Sequence, residues 1–438
     1  MKKFMGLCVI VILIVMNTFC VSGQVNIPET IKVGIIFGNK EIDNIRLEGD
    51  SKIIIVKDGD VINEGSTFIL KKDDGNTLKV IGKNGDDILQ YDVKKDKVYF
   101  KGDKIIKVNG KTYRGSIMVD RYYNSDLTII NELKMDEYLY GVLPKEIISK
   151  SWPLEAQKAQ AVAARNFALV KLGLHKDLGF DLCNSTHCQV YGGFSVENSQ
   201  SNRAVDETSG QVLTYNGQAI STYYHSNSGG KTENMENVWS KAVEYIKSVE
   251  DPYSIGAPND SWEKSYSKYE IENILNNGEN HIGKLKSIKI KNRADSGRVT
   301  ELEIIGDRDK IILQKDKIRK VFGYNNIKST WFNIKHDGDR NKIVLQEPYE
   351  ESRRVTMENV YVISDKKTMK VEEQLYIHNG ETTSEINFEN VSDDYLFVGR
   401  GWGHGLGMSQ WGAKKMAEEG FSYEEILKFY YKNILLER

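Results

Sequence analysis

Cysteine is scarce: the 438-residue chain has four, and two of them, Cys8 and Cys20, lie within the first 23 residues. What remains is one local pair, Cys183 and Cys188, which excludes a disulfide scaffold. An excess of either charge is lacking too. Sixty Lys and Arg against 62 Asp and Glu give a formal −2. That balance offers neither the basic surface nucleic acid requires nor an acidic tail for a charged partner. There is no internal repeat and no low-complexity segment. No His-Glu-x-x-His is present, so nothing signals an open, hydrolytic zinc site. Against these absences, 40% hydrophobic residues and 28% charged ones describe a chain able to build two or three ordinary cores.

The first 23 residues stand apart. Lys2 and Lys3 precede an apolar run from Phe4 to Met16, and Val21 and Gly23 supply small residues before a possible cut. This is the layout of an export signal, residues 1–23. Counted on to Val21, the stretch is also barely long enough to be kept as a membrane anchor. Phe19 before Cys20 is too bulky for a lipoprotein signal.

Residues 24–112 read as a small all-β module. Runs such as "STFILKK", "NTLKVIG" and "KIIKVNG" alternate with turn chemistry, "KKDDGN", "GKNGDD" and "KGDK". The module has no His, no Cys and no convergent acids, so it suits binding or spacing rather than catalysis. The rest, 113–438, reads as mixed strands around one alanine-rich helix, an α+β domain. Ser151 is the expected N-cap of that helix, Pro153 falls in its first turn and Gly173 follows its end. Polar, turn-rich residues at about 336–390 read as a peripheral β insertion. Two closing helices are expected, "MSQWGAKKMAEEG" and "SYEEILKFYYKNILL", with Ser422 and Glu425 as a capping box.

Four stretches carry candidate chemistry. In "VLPKEIISKSWPLEAQ", Glu155 falls in the first helical turn, where a carboxylate supports the helix dipole. Glu146 lies ahead of the helix among Val142, Leu143, Ile147 and Ile148. Apolar surroundings raise a carboxyl pKa, as a general acid near neutral pH requires. "LHKDLGFDLCNSTHCQVYGG" gathers His175, Cys183, His187 and Cys188. Thiolate and imidazole suit zinc, of the structural kind, but a Cys183–Cys188 disulfide fits an exported chain equally well. "STYYHSNSGG" places His225 and Ser226 at a loop of small polar residues. "GRGWGHGLGMSQWGA", residues 399–413, lets backbone pass close to a ligand, and its Trp rings are possible sugar platforms.

Taken together these stretches, with "LTIINELKMDEYLYGVLPKEI" and "VEDPYS", resemble the stage II sporulation protein D and amidase-enhancer family of bacterial cell-wall proteins. The likeness runs from about Tyr113 to the C-terminus and is poor at 336–390. It implies a lytic transglycosylase acting on peptidoglycan glycan strands stripped of peptides, outside the cytoplasm. Glu146 would be the single acid and base, although Ile147 follows where the family usually has Met. The likeness also implies zinc at Cys183, His187, Cys188 and His175. His225, Ser226, Gly403, His404, Gly405, Ser409 and Gln410 would line the cleft and orient the sugar. The other role it implies is a non-catalytic, peptidoglycan-binding enhancer of a cell-wall amidase, for which the N-terminal β module would serve as a wall-binding addition.

Overall fold

The structure, a computed structural model, describes residues 25–438 except 39–41, 122–126, 240 and 279–280. Between 337 and 393 it describes only the backbone of six short strands. The expected export segment and most of the expected insertion therefore lie outside the described residues. No helix among those described is long and apolar enough to cross a membrane.

Eleven strands build the main sheet. They are β1 (Thr30–Ile36), β2 (Asn44–Lys57), β3 (Asp60–Lys72), β4 (Thr77–Gly82), β5 (Asp87–Asp92), β6 (Val98–Gly102), β7 (Ile106–Val108), β8 (Lys111–Tyr113), β9 (Ser116–Arg121), β10 (Leu127–Lys134) and β11 (Leu182–Cys183). The order is β11-β1-β10-β9-β6-β2-β3-β4-β5, with β7 on β2 and β8 on β7. Tight turns at Asp58-Gly59 and Asn109-Gly110 have positive φ at both residues, the geometry that matches strand twist. Alternation is clean on β4, where Leu78 and Val80 are fully buried and Lys79 is not. On β10 it vanishes, because Leu127, Ile129, Ile130 and Leu133 are covered on both faces. The expected edge at 112/113 falls inside this sheet, since β1 pairs with β10 and, in parallel, with β11. One core accordingly runs from Ile31 to Val205.

Helix α1 spans Met135–Glu146 and α2 spans Leu154–Val170. Two boundaries differ from expectation. Helix α2 starts after Pro153, not after Ser151: the residue before a proline is driven to extended backbone, so Trp152 cannot open the helix, and Pro153 is itself extended. Helix α1 continues past Pro144, so Glu146 is its last residue rather than a loop residue. Helix α2 is central. Ala156, Ala161, Ala164 and Ala168 face the first core, while Ala159, Val162 and Ala163 enter another with Leu406, Met408, Tyr430 and Tyr431. Short side chains on every side let all these neighbours close on it.

Helices Gln410–Glu418 and Tyr423–Tyr430 cover the second side, the latter with the Ser422–Glu425 capping box in place. The last helix stops at Tyr430, because Leu435–Glu437 pairs as a strand with Val212–Tyr215. A lobe with its own core comprises strands Ser261–Ser267, Phe332–His336 and Asp394–Arg400, a three-stranded meander over 285–314, and helices Lys268–Asn276 and Lys317–Phe322. Phe332–His336 and Asp394–Arg400 pair directly, so the chain leaves and rejoins this lobe at adjacent strands.

Candidate active site

Glu146 is fixed from its backbone outward. Its carbonyl accepts the Gln410 side-chain N–H at 3.1 Å, a bond across 264 residues of sequence. Its carboxylate accepts the Val190 backbone N–H and the Tyr224 hydroxyl. Burial pushes the carboxyl up to about 7, against the pull of those two hydrogen bonds. Its place at a helix C-terminus disfavours the charge further.

The Tyr224 hydroxyl has a defined direction. Gln189 Nε2 donates to Ala164 C=O at 3.4 Å and to Tyr224 Oη at 3.0 Å, and Gln189 Oε1 accepts from Tyr138 at 3.1 Å. The tyrosine oxygen is thus an acceptor on one side, and its own proton points to Glu146.

Around the acid opens a cleft of about 800 Å³. Lys145, Phe167, Lys171, Tyr223, Tyr224, Trp239 and His404 line it, together with His187 to Val190. Glu146 is the one carboxylate among the described lining residues. Trp239 stands edge-on to Tyr223, with centroids 4.5 Å apart, and 5.4 Å from the His404 ring.

Of the residues expected at the sugar, His404 alone lines this cleft. Its Nδ1 accepts from Leu406 N–H at 2.9 Å and its other nitrogen donates to the Tyr224 carbonyl. Burial, with Arg319 and Arg298 nearby, pushes it down to about 3, so it is a neutral wall. His225 lies behind it, buried, donating Nδ1–H to Leu406 C=O at 3.1 Å. Burial holds His225 well below the usual histidine range as well. The carbonyl of Ser226 takes the Trp411 N–H. Ser409 caps the helix Gln410–Glu418, and Gln410 holds Glu146. Gly403 and Gly405 have positive φ, and a Cβ on Gly405 would sit 2.7 Å from the Arg298 guanidinium. These residues build the wall rather than face the cleft. Nor do Trp402 and Trp411 offer a platform: Lys328 lies over the first and Trp152 packs on the second. The tryptophan that lines the cleft, beside Phe167, Tyr223 and Tyr224, is Trp239, whose signal in the sequence was only its place at the end of "STYYHSNSGGKTENMENVW".

The four metal-type residues do converge. His175, Cys183, His187 and Cys188 present donor atoms that all lie within 4.8 Å of one another. Cys188 Sγ is 3.4 Å from His175 Nε2 and 3.6 Å from His187 Nδ1, and Cys183 Sγ is 3.8 Å from His187 Nδ1. Tetrahedral zinc with ordinary bond lengths would set such sulfur–nitrogen edges at about 3.6 Å. Both cysteines are free thiols. Burial, with His187 beside it, lowers His175 and keeps it neutral, the form that binds a metal. Gly34 on β1 makes room: a Cβ there would meet the Phe180 ring at 2.5 Å, and that ring lies 5.0 Å from His175.

Two family models and three known proteins resemble this chain. A family model described as stage II sporulation protein matches residues 123–215, and one for a domain of unknown function matches 254–347. An uncharacterized protein of Brachyspira hyodysenteriae is 32% identical over 343 residues, 78% of this chain and 77% of its own. The amidase enhancer of Bacillus subtilis is 34% identical over 303 residues, 68% of this chain but only 40% of that protein. Stage II sporulation protein D of the same organism is 28% identical over 341 residues, 74% of this chain and 80% of its own.

Proposed function

The chain belongs to the stage II sporulation protein D and amidase enhancer family, and on that premise we propose that it is a lytic transglycosylase of peptidoglycan. The observation that carries the reading is one carboxyl in an aromatic-lined cleft, with a pKa of about 7 and two hydrogen-bond donors on its charged form. Glycoside hydrolases use two carboxylates, the second to activate water or attack the sugar. A transglycosylase needs one. Glu146, protonated, gives its proton to the oxygen linking N-acetylmuramic acid to N-acetylglucosamine, and the C1–O4 bond breaks. The carboxylate, held by Val190 N–H and Tyr224 O–H, then accepts the proton of the muramic C6 hydroxyl as its oxygen bonds to C1. The product is a 1,6-anhydro sugar, and the acid is restored without water or a co-reactant.

The substrate is glycan stripped of peptides, outside the cytoplasm. The donor set His175, Cys183, His187 and Cys188 fits a structural zinc, which would tie down the loop that brings Val190 to Glu146 and Gln189 to Tyr224. Such an ion supplies rigidity; four protein donors leave no position for a reacting water.

Incubating the protein with peptide-free glycan tests the proposal. Mass spectrometry is expected to find anhydromuramyl ends, and none with Glu146→Gln. Product unchanged in Glu146→Gln would overturn it. The likeness to an amidase enhancer supports a second role, binding glycan while stimulating a cell-wall amidase. That role becomes the whole account if the glycan is bound and left uncut.

A further inference from the structure

Two cations line the cleft beside its one acid. Lys145 is the residue before Glu146, at the end of α1, and Lys171 caps the end of α2. Lysines at helix C-termini are favoured by the dipole in any protein. What that leaves unexplained is their company: neither makes an ion pair with a carboxylate among the described residues. The contrast on the same helix is Lys158, held between Glu155 at 2.9 Å and Glu207 at 2.6 Å. Lys145 is exposed, its stem laid against Gly192, and Lys171 is half-buried, near enough to Cys188 to act on that thiol. With Glu146 in its protonated, catalytically ready form, the cleft carries positive charge and no standing negative charge. Its histidine wall, His404, is neutral. A chain of formal charge −2 overall thus presents a locally cationic cleft.

We propose that Lys145 and Lys171 read the lactyl carboxylate of N-acetylmuramic acid, making the absence of a stem peptide a condition of binding. The proposal rests on the peptidoglycan reading above. In intact wall the lactyl group is an amide, with no charge at that atom. Once the peptide is cut away, it becomes a carboxylate on the sugar whose C1 Glu146 acts upon. A lysine ammonium beside it gains a charge-assisted hydrogen bond that the amide cannot offer. Charges carried further along a stem peptide do not substitute, because they lie beyond the sugar ring that the cleft holds.

The test uses the Glu146→Gln protein, which binds without turnover, and calorimetry with three length-matched probes. They are muramyl glycan with free lactyl carboxylates, the same glycan with each lactyl group converted to its methylamide, and neutral chito-oligosaccharide. The free acid is expected to bind about tenfold tighter than the methylamide at low salt, as one charge-assisted hydrogen bond would give. Added Lys145→Gln and Lys171→Gln are expected to cut that preference to within about twofold, and high salt to weaken it. Equal affinity for acid and methylamide overturns the proposal and leaves the transglycosylase reading standing; this comparison needs no lysine variant to fold. Failure to bind any of the three glycans overturns the reading beneath it.

Discussion

Glu146 and Glu155 lie nine positions apart and do different work. Glu155 accepts the Tyr423 backbone N–H at 2.8 Å and pairs with Lys158, so it fastens the start of the last helix to α2. Glu146 is half-buried, raised to about 7 and lines the cleft. A general acid must be protonated, so kcat/KM should fall as pH rises through about 7. The Tyr224 hydrogen bond favours the ionised form, and Tyr224→Phe should therefore move that alkaline limb to higher pH. A limb that moved to lower pH would mean that Tyr224 stabilises the protonated carboxyl instead. The apolar neighbours set Glu146 apart from Glu155 in the sequence, but its reading as the acid came from the family likeness. The lock on Tyr224 was not legible there, since it depends on Gln189 meeting Tyr138 and Ala164 in space.

Helix α2 was readable because alanines repeat on all its faces and Gly173, with φ +72°, follows its end. Its start was misplaced because a good capping residue, Ser151, competes with the rule that Pro153 imposes on Trp152. Pro144 lies inside α1, which runs on to Glu146 as its last residue. Glu155→Ala removes a hydrogen bond between elements, and partial exposure screens it. We expect a loss of about 1–2 kcal/mol in urea unfolding, with anhydro ends still formed. The loop bearing His175 to Cys188 has few apolar anchors of its own beyond Phe180 and Leu182. Cys183→Ser or Cys188→Ser should remove one bound zinc per chain by metal analysis and lower the thermal midpoint, and a chelator should do the same to the wild type. Zinc-free protein lacking free thiols would instead indicate a disulfide.

At the scale of the whole molecule, the cleft draws on α1, the end of α2, the loop at 186–190, the strand at Tyr224 and the glycine-rich loop at His404. Short parallel pairing of Tyr224 with Met408 and His225 with Ser409 brings the last two together. The motifs could be found one by one, because each is local. Their convergence could be inferred only from likeness, since no periodicity predicts a contact across 264 residues. The continuity of the sheet through 112/113 was hidden for the same reason: β1 meets β10 only after about a hundred residues have intervened. In the proposed reaction the muramic C6 hydroxyl, not water, takes C1 from the leaving sugar at Glu146. Cleavage of peptide-free glycan in ¹⁸O-enriched water tests this most directly. New muramyl ends are expected to be one water lighter than hydrolysed ends and to carry no ¹⁸O. New reducing ends labelled with ¹⁸O would contradict that reaction.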